Sequence, residues 1–315
     1  MRRFQTNNIP DNARGAAVAI GNFDGVHLGH QAIIDVARKQ ARKNNAPLGI
    51  LTFEPHPRSF FSKKDGKELP PFRLLNANAR FHQLEKLGVD LILEIPFDQA
   101  LCELSDWEFS QKILSGSFGL SHVVVGSDFC FGKGRQGNVL SLSGHGAKLG
   151  FGVTVAELES YGDHVISSTN IRKALIDADP QKAAAMLGHL HRIEGTVEHG
   201  EKRGRTLGYP TINMTIDGLQ PPAFGVYAVI TDVLTGPHAG HYKGVSSIGV
   251  RPMFGQNHPN FETFIFDFDG DLYGETISVG LVEYLRGEKT FDGVDRLITQ
   301  MDSDCVTARN ILEKL

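Results

Sequence analysis

The chain has 315 residues, 41% hydrophobic and 22% charged, and its 32 Lys and Arg stand against 36 Asp and Glu for a formal net charge of -4. That length has room for two domains, the composition is that of an ordinary soluble globular protein, and the charge balance gives no general attraction for nucleic acid or an anionic membrane. Three scattered cysteines, Cys102, Cys130 and Cys305, show neither metal-knuckle nor dithiol spacing and predict a reduced, cytoplasmic protein.

The N-terminal MRRFQTNNIPDNARG has two arginines and no apolar stretch behind them, so no signal peptide is expected. No segment approaches the ~20 apolar residues that span a bilayer. Up to residue 187, short apolar runs alternate with helical stretches. The runs AAVAI (16–20), LGILTF (48–53), VDLILEI (89–95), HVVVG (122–126) and VTVAEL (153–158) read as buried strands. Between them, Ile33, Val36, Ala37 and Ala41 share one helical face, Ser105 and Glu108 have capping-box spacing, and Gly88 is a helix stop. This alternation predicts a parallel sheet covered on both faces, with ligands at the carboxyl ends of its strands. GNFDGVHLGH (21–30), EPHPRSFF (54–61) and GSDFCFGKGRQGN (126–138) all begin at such ends.

PQKAAAMLG (180–188) reads as a short helix leading into a second pattern. RIEGTVEHG, YPTINMTI, GVYAVITDV, GVSSIGV, NFETFIFDF and TISVGLVEYL are strand-like runs separated by turns, which predict a small antiparallel barrel or sandwich. A closing amphipathic helix carries the stripe Val294, Leu297, Ile298, Met301, Cys305 and Ala308. The basic runs ARKQARK (37–43) and EKRGR (201–205) read as a solvated helix face and a turn rather than RNA contacts.

In GNFDGVHLGH the glycines permit a sharp turn after the first strand, and the following helix aims its positive end at the same place. His27 and His30 fall on one side of its first turn, where neutral or cationic imidazoles can donate to phosphate oxygens. An incidental pair and a zinc site stay open on spacing alone. In ISSTNIRKAL (166–175), Ser167, Ser168 and Thr169 suit a helix start and Arg172 offers a forked donor, either to phosphate or to solvent. Asp128 reads equally as a substrate or metal contact and as a turn cap. Phe60, Phe61, Phe129 and Phe131 lie in apparent loops, as stacking partners for a flat ring or as a satellite apolar cluster.

In the second pattern, Thr211 and Asn213 share a strand face and offer hard oxygens suited to a magnesium ion that carries nucleotide phosphates. Glu262 has the parity of Phe264, Phe266 and Phe268, so it reads as a buried proton acceptor or as a strand-end carboxylate reaching solvent.

GNFDGVHLGH, TFEPHP (52–57), GSDFCFGKGRQGN and ISSTNIR together resemble the FAD synthetase (FMN adenylyltransferase) module of bacterial bifunctional riboflavin kinase/FAD synthetases, one of the HxGH nucleotidyltransferases. GRTLGYPTIN, GVYAV (225–229), IGVRPMF (248–254), FETFIFDFDGDLYG (261–274) and EYLRGEKTF (283–291) are similar to the riboflavin kinase module of the same family. The resemblance implies an α/β chain: a Rossmann-like adenylyltransferase domain with a parallel sheet over residues 1–187, and a six-stranded Greek-key β-barrel kinase domain with a C-terminal helix over 188–315. It implies that riboflavin and ATP give FMN, and that FMN and ATP give FAD and pyrophosphate without a covalent enzyme intermediate.

By the same resemblance, Asn22, His27 and His30, with Gly21 and Phe23 in their loop, hold ATP and stabilise the transition state. Ser168, Thr169 and Arg172 close on the β- and γ-phosphates, and Asp128 contacts nucleotide or substrate. The four phenylalanines become flavin-binding candidates. Thr211 and Asn213, beside Gly208, become the Mg2+-ATP contacts, and Glu262 the base for the ribityl 5′-hydroxyl. Met253 and Phe264 depart from the family pattern, which puts kinase rate and flavin affinity in question. A chain retaining only adenylylation and a flavin-responsive regulator are the alternatives. The sequence sets no oligomeric state.

Overall fold

The computed structural model describes every residue except 67–68, 157–165, 201–203, 205–206 and 251–258. Met253 and the arginine of IGVRPMF lie outside the described residues, as does most of EKRGR. Contacts divide the chain into two compact units, Met1–Leu69 with Arg80–Ile166, and Pro70–Ala79 with Ser167–Leu315.

The first unit is built on β1 (Arg2–Phe4), β2 (Ala17–Ile20), β3 (Leu48–Glu54), β4 (Leu91–Pro96), β5 (His122–Gly126) and β6 (Gly152–Ala156). They form one sheet of order β1-β4-β3-β2-β5-β6, parallel throughout. The five expected strands are present, the last as far as Ala156, since Glu157 and Leu158 lie outside the described residues. The sixth, β1, is too short and too polar to show in the sequence, and it exists because the edge of β4 offers a ladder, pairing Arg2 with Leu91 and Phe4 with Leu93. From β2 the chain winds to one side through β3 and β4 and then to the other through β5 and β6. The switch point therefore lies between β2 and β5, which pair directly from Ala17–His122 to Ala19–Val124.

Helices α1 (Leu28–Lys43), α2 (Pro57–Lys64), α3 (Ala77–Lys86), α4 (Gln99–Glu103), α5 (Asp106–Glu108), which runs on as a π-helix over Phe109–Ser117, and α6 (Val139–Leu149) fill the connections. The central strands are apolar on both faces because both are covered; all of β2 is buried, as are Val123, Val124 and Val125. Ser105 and Glu108 form the expected capping box, the Glu108 N–H donating to Ser105 Oγ at 3.1 Å and the Ser105 N–H to Glu108 Oε2 at 3.0 Å. Gly88 ends α3 in the left-handed region, at φ 68°.

The second unit begins with α7 (Ser168–Ile176) and α8 (Pro180–Leu187), which bury Ile171, Leu175, Ala183 and Leu187 around Leu74. Strands β7 (His191–Thr196), β8 (Thr211–Thr215), β9 (Gly225–Val233), β10 (Gly240–Val250), β11 (Pro259–Ile265) and β12 (Thr276–Arg286) follow, then α9 (Val294–Leu312). The sheet is antiparallel in the order β7-β12-β9-β10-β11-β8. β9, β10 and β11 form a meander with β8 lying beside β11, the Greek-key arrangement expected. Just beyond β7, Glu198 bridges Asn213 of β8, so the two edges of the curled sheet meet. One apolar cluster fills the inside, including Tyr227, Val229, Phe261 and Leu281. A second, around Phe266, Val282, Ala308 and Leu312, lies under α9. Val294, assigned to the helix stripe from the sequence, is exposed at the first turn, and Asp304 is buried instead because Arg286 pairs with it at 2.7 Å.

Candidate functional site

The first site is the turn between β2 and α1, at the switch point. Phe23, Gly25 and Val26 all adopt the left-handed region, with φ of 50°, 88° and 45°. A β-branched residue there costs on the order of 1–3 kcal/mol, strain that collects at functional loops. The turn is held by the Val26 N–H donating to Phe23 O at 3.2 Å and by Gln31 Nε2 donating to Val26 O at 2.9 Å. It delivers His27 as the N-cap of α1, with Nδ1 accepting from the His30 N–H at 3.3 Å. A neutral His27 therefore carries its proton on Nε2. The two imidazoles stack, with centroids 3.6 Å apart and planes 12° from parallel, and His30 leans on the buried Phe23 ring at 5.1 Å.

Burial, with the neighbouring His27 second, holds the His30 pKa well below 6.5. The position in the first helical turn, against the positive end of the helix dipole, acts in the same direction. Of the neutral and cationic forms open on the sequence, His30 is the neutral one. Its Nδ1 is buried without a hydrogen-bond partner among the described residues. Asp128, exposed past the end of β5, folds its carboxylate over Gly126; a Cβ there would lie 3.1 Å from Asp128 Oδ1 and 3.8 Å from Ile33 of α1. The unit thus brings Gly21, Asn22, Phe23, His27, His30 and Asp128 to one end of the sheet.

Beneath this turn lies a group of charges that sequence reading missed. Arg80 of α3 is only 1% exposed. Its Nη1 donates to Asn22 O at 3.3 Å, and its Nη2 to Glu94 Oε1 at 2.5 Å and Glu54 Oε2 at 3.1 Å. Thr52 Oγ1 reaches the same Asn22 carbonyl at 3.4 Å. Arg3 and Gln5 complete the set, donating to Glu94 at 2.7 Å and 2.8 Å. Burial opposes ionisation of Glu94, but the hydrogen bonds from Gln5 and Arg3 and the charge of Arg80 outweigh it and hold the pKa below its ordinary value. A signal was present in the sequence: Glu94 inside the otherwise apolar run VDLILEI needs a partner, as does Glu54 at the end of β3.

The aromatic candidates separate. Phe60 and Phe61 lie on α2 rather than in a loop, in an edge-to-face cluster with Phe97 at 5.5 Å and 5.8 Å, and Phe61 remains 46% exposed. Phe131, open from the sequence to stacking on a ligand or to an apolar cluster, belongs to the core: the loop pairs back on itself through a Phe131–Gly137 bridge, and the ring packs on Phe109 at 5.7 Å. Phe129, partly buried, stacks on Phe131 at 5.4 Å.

Ser168, Thr169 and Arg172 belong to the second unit. Ser167 is the N-cap of α7, accepting from the Asn170 N–H at 3.2 Å, which puts Ser168 and Thr169 in the first turn. Arg172 Nε donates to the Phe72 carbonyl, and its guanidinium lies 5.7 Å from the Phe72 ring centroid.

In the barrel, Glu262 of β11 sits directly opposite Asn213 of β8, and Thr211 opposite Phe264. Thr211 Oγ1 donates to Glu262 Oε2 at 3.3 Å and Asn260 Nδ2 to Glu262 Oε1 at 2.6 Å. Glu262 is half-buried on the outer face, because β11 turns Phe261, Thr263 and Ile265 inward. The face read from parity holds through Phe264 and Phe266, whose rings meet at 5.9 Å under α9, and ends there: Asp267 adopts φ 55° and Phe268 packs against the inner cluster. Gly200 and Gly204 press against the site. A Cβ at Gly200 would lie 2.4 Å from Asn213 Nδ2, and one at Gly204 2.2 Å from Tyr209 O and 3.2 Å from Thr211 Oγ1. Gly208, at φ 86°, turns the chain into Tyr209, whose hydroxyl donates to Asp302 of α9 and whose pKa burial pushes up to about 12. The donors are a hydroxyl, an amide and a carboxylate, a set that fits a hard cation held jointly with phosphate oxygens.

No helix among the described residues is long and apolar enough to cross a membrane. Residues 9–170 match the FAD synthetase family and residues 187–312 the riboflavin kinase family. The chain is 37% identical to the bifunctional riboflavin kinase/FMN adenylyltransferase of Escherichia coli K12 over 94% of its length and 92% of that protein. The protein of the same description from Pseudomonas fluorescens is 38% identical over 96% of this chain and 94% of its own. A solved Streptococcus pneumoniae structure described as a macrolide-efflux protein superposes with a TM-score of 0.83 at 30% identity, covering 98% of this chain and 99% of its own. With both halves matched in order and relatives aligned nearly end to end, the chain belongs to the bifunctional riboflavin kinase/FMN adenylyltransferase family, whose two activities carry riboflavin to FMN and FMN to FAD.

Proposed function

We propose that residues 1–187 adenylylate FMN and residues 188–315 phosphorylate riboflavin, with one set of catalytic residues in each. The observation that carries the first half is the stacked His27–His30 pair at the head of α1. In this reading an FMN phosphate oxygen attacks the α-phosphorus of ATP, the bond to the bridging oxygen breaks, and pyrophosphate leaves. His27, donating through Nε2, and the first-turn amides of α1 stabilise the charge that develops. Gly21, Asn22 and Phe23 shape the turn, Asp128 borders the nucleotide, and Ser168, Thr169 and Arg172 act on the β- and γ-phosphates. Phe60, Phe61 and Phe129 are the flavin contacts, with Phe131 supporting Phe129 from the core.

In the kinase half, Glu262 takes the proton of the riboflavin 5′-hydroxyl as that oxygen attacks the γ-phosphorus, the bond from that phosphorus to the β,γ-bridging oxygen breaks, and ADP leaves. Its placement against Thr211 and Asn213 supports this role. Magnesium arriving with ATP supplies charge neutralisation, and Thr211, Asn213 and the turn at Gly208 hold the nucleotide. The cytoplasm is the proposed location, supported by the use of ATP and by three cysteines free of disulfides. Incubation with riboflavin, Mg2+ and ATP, with separation of the flavins, tests the reading. FMN followed by FAD is expected. No FMN would overturn the kinase assignment, and no FAD from supplied FMN the transferase assignment.

A further inference from the structure

We propose that Arg80, which touches neither substrate in the reading above, is the positioning residue for adenylyl transfer: it fixes the Asn22 carbonyl at the exit of β2 and so sets the turn that presents His27 and His30. The proposal rests on the assignment of those histidines to ATP. Three features of the molecule support it. The first is reach: one guanidinium joins β3 through Glu54, β4 through Glu94 and the first turn residues through Asn22, three segments distant in sequence. A planar fork serves several acceptors at once, which a lysine ammonium cannot reproduce from the same stem.

The second is charge. Arg80 is matched by Glu94 and Glu54, and Glu94 also by Arg3. A cation so neutralised and so buried is not a phosphate ligand. Its effect on the reaction passes through the carbonyl it holds. The third is strain. The residues that follow Asn22 adopt left-handed conformations at Phe23 and Val26, and such a turn persists only where its surroundings over-determine it. Arg80 and Thr52, converging on the Asn22 carbonyl, supply that restraint at its start.

The test is Arg80→Lys, which keeps the charge and loses the fork, assayed for both activities in the full chain. Riboflavin phosphorylation is expected to stay within about twofold and serves as the internal control. FMN adenylylation should lose about 10- to 100-fold in kcat, the scale of a small misplacement of reacting groups. The acidic limb of its pH profile should move to higher pH, because a loosened turn lets water reach His30 and returns that imidazole towards its ordinary pKa. A purely structural role would lower the active fraction and leave that limb in place, with activity restored by a stabilising osmolyte; that result overturns the proposal, as does unchanged adenylylation. If Arg80→Lys does not fold, Glu54→Gln decides: a kcat loss with the same shift in pH profile supports the role, and a wild-type profile overturns it. The underlying assignment is judged separately by His30→Ala. Loss of FAD formation there with no effect at Arg80 or Glu54 sinks this proposal alone.

Discussion

In the proposed reading, the two units handle ATP with opposite materials. In the parallel-sheet unit the candidate site is a turn at the ends of strands, and the proposed chemistry rests on backbone direction, a helix N-terminus and two imidazoles. In the barrel it is a strip of side chains on a sheet face, where Thr211, Asn213 and Glu262 are placed by pairing register between β8 and β11. A turn has many conformations and needs external restraint, which Arg80 and its carboxylates provide from below. A ladder restrains itself, and what it needs is room, provided by Gly200 and Gly204.

The largest effects should come from the reacting groups and should separate the units cleanly. Glu262→Gln is expected to cut FMN formation by at least about 100-fold while FMN adenylylation persists. His30→Ala should do the reverse by a similar factor. Either change abolishing both activities in a folded chain would break the comparison. Next, Gly204→Ala forces a methyl towards the Tyr209 carbonyl, which is backbone and cannot swing aside. We expect a roughly tenfold rise in the kinase KM for ATP, with adenylylation unchanged. A steady-state titration of ATP in both assays checks it.

Stability should show a likeness beneath the difference, because each unit buries a neutral imidazole. Burial, with His189 second, lowers the pKa of His191 in the barrel to about 3, and His30 is lowered in the same sense. The unfolded chain binds a proton near pH 6.5 that the folded barrel refuses. The stability associated with neutral His191 is therefore complete above that pH and is lost as pH falls towards about 3. The expected slope is small at pH 7 and rises towards about 1.4 kcal/mol per pH unit near pH 5, measured by denaturant unfolding between those values. His191→Gln should flatten it for the second unit, and an unchanged slope would refute the account. The smallest effect is the loss of the α5 cap. Ser105→Ala should cost the first unit about 1 kcal/mol, read as a lower unfolding midpoint with both activities intact below it.

Much of this was legible in the residues. Continuous apolar runs alternating with helical periods gave the parallel sheet, because strands covered on both faces need no polar face. The Ser105 capping box and the Gly88 stop were readable because each is a bond or conformation spanning a few residues. GNFDGVHLGH and LGYPTIN marked both candidate sites for the same reason. β1 was hidden because its stability comes from β4, distant in the chain.

The charge state of His30 depends on the His27 ring and the buried Phe23 packed against it, and no local pattern records that burial. Phe131 looked like a loop residue because the bridge that draws it into the core comes from the fold of residues 131–137. The Arg3–Glu94–Arg80 chain joins residues up to 91 positions apart. By itself the sequence determined which segments are strands and helices and which family the chain belongs to, since these rest on periodicity and short motifs. Only the tertiary structure decided which charges meet, that His30 is buried and which aromatic rings enter the core, since each follows from packing around the residue that no local pattern records.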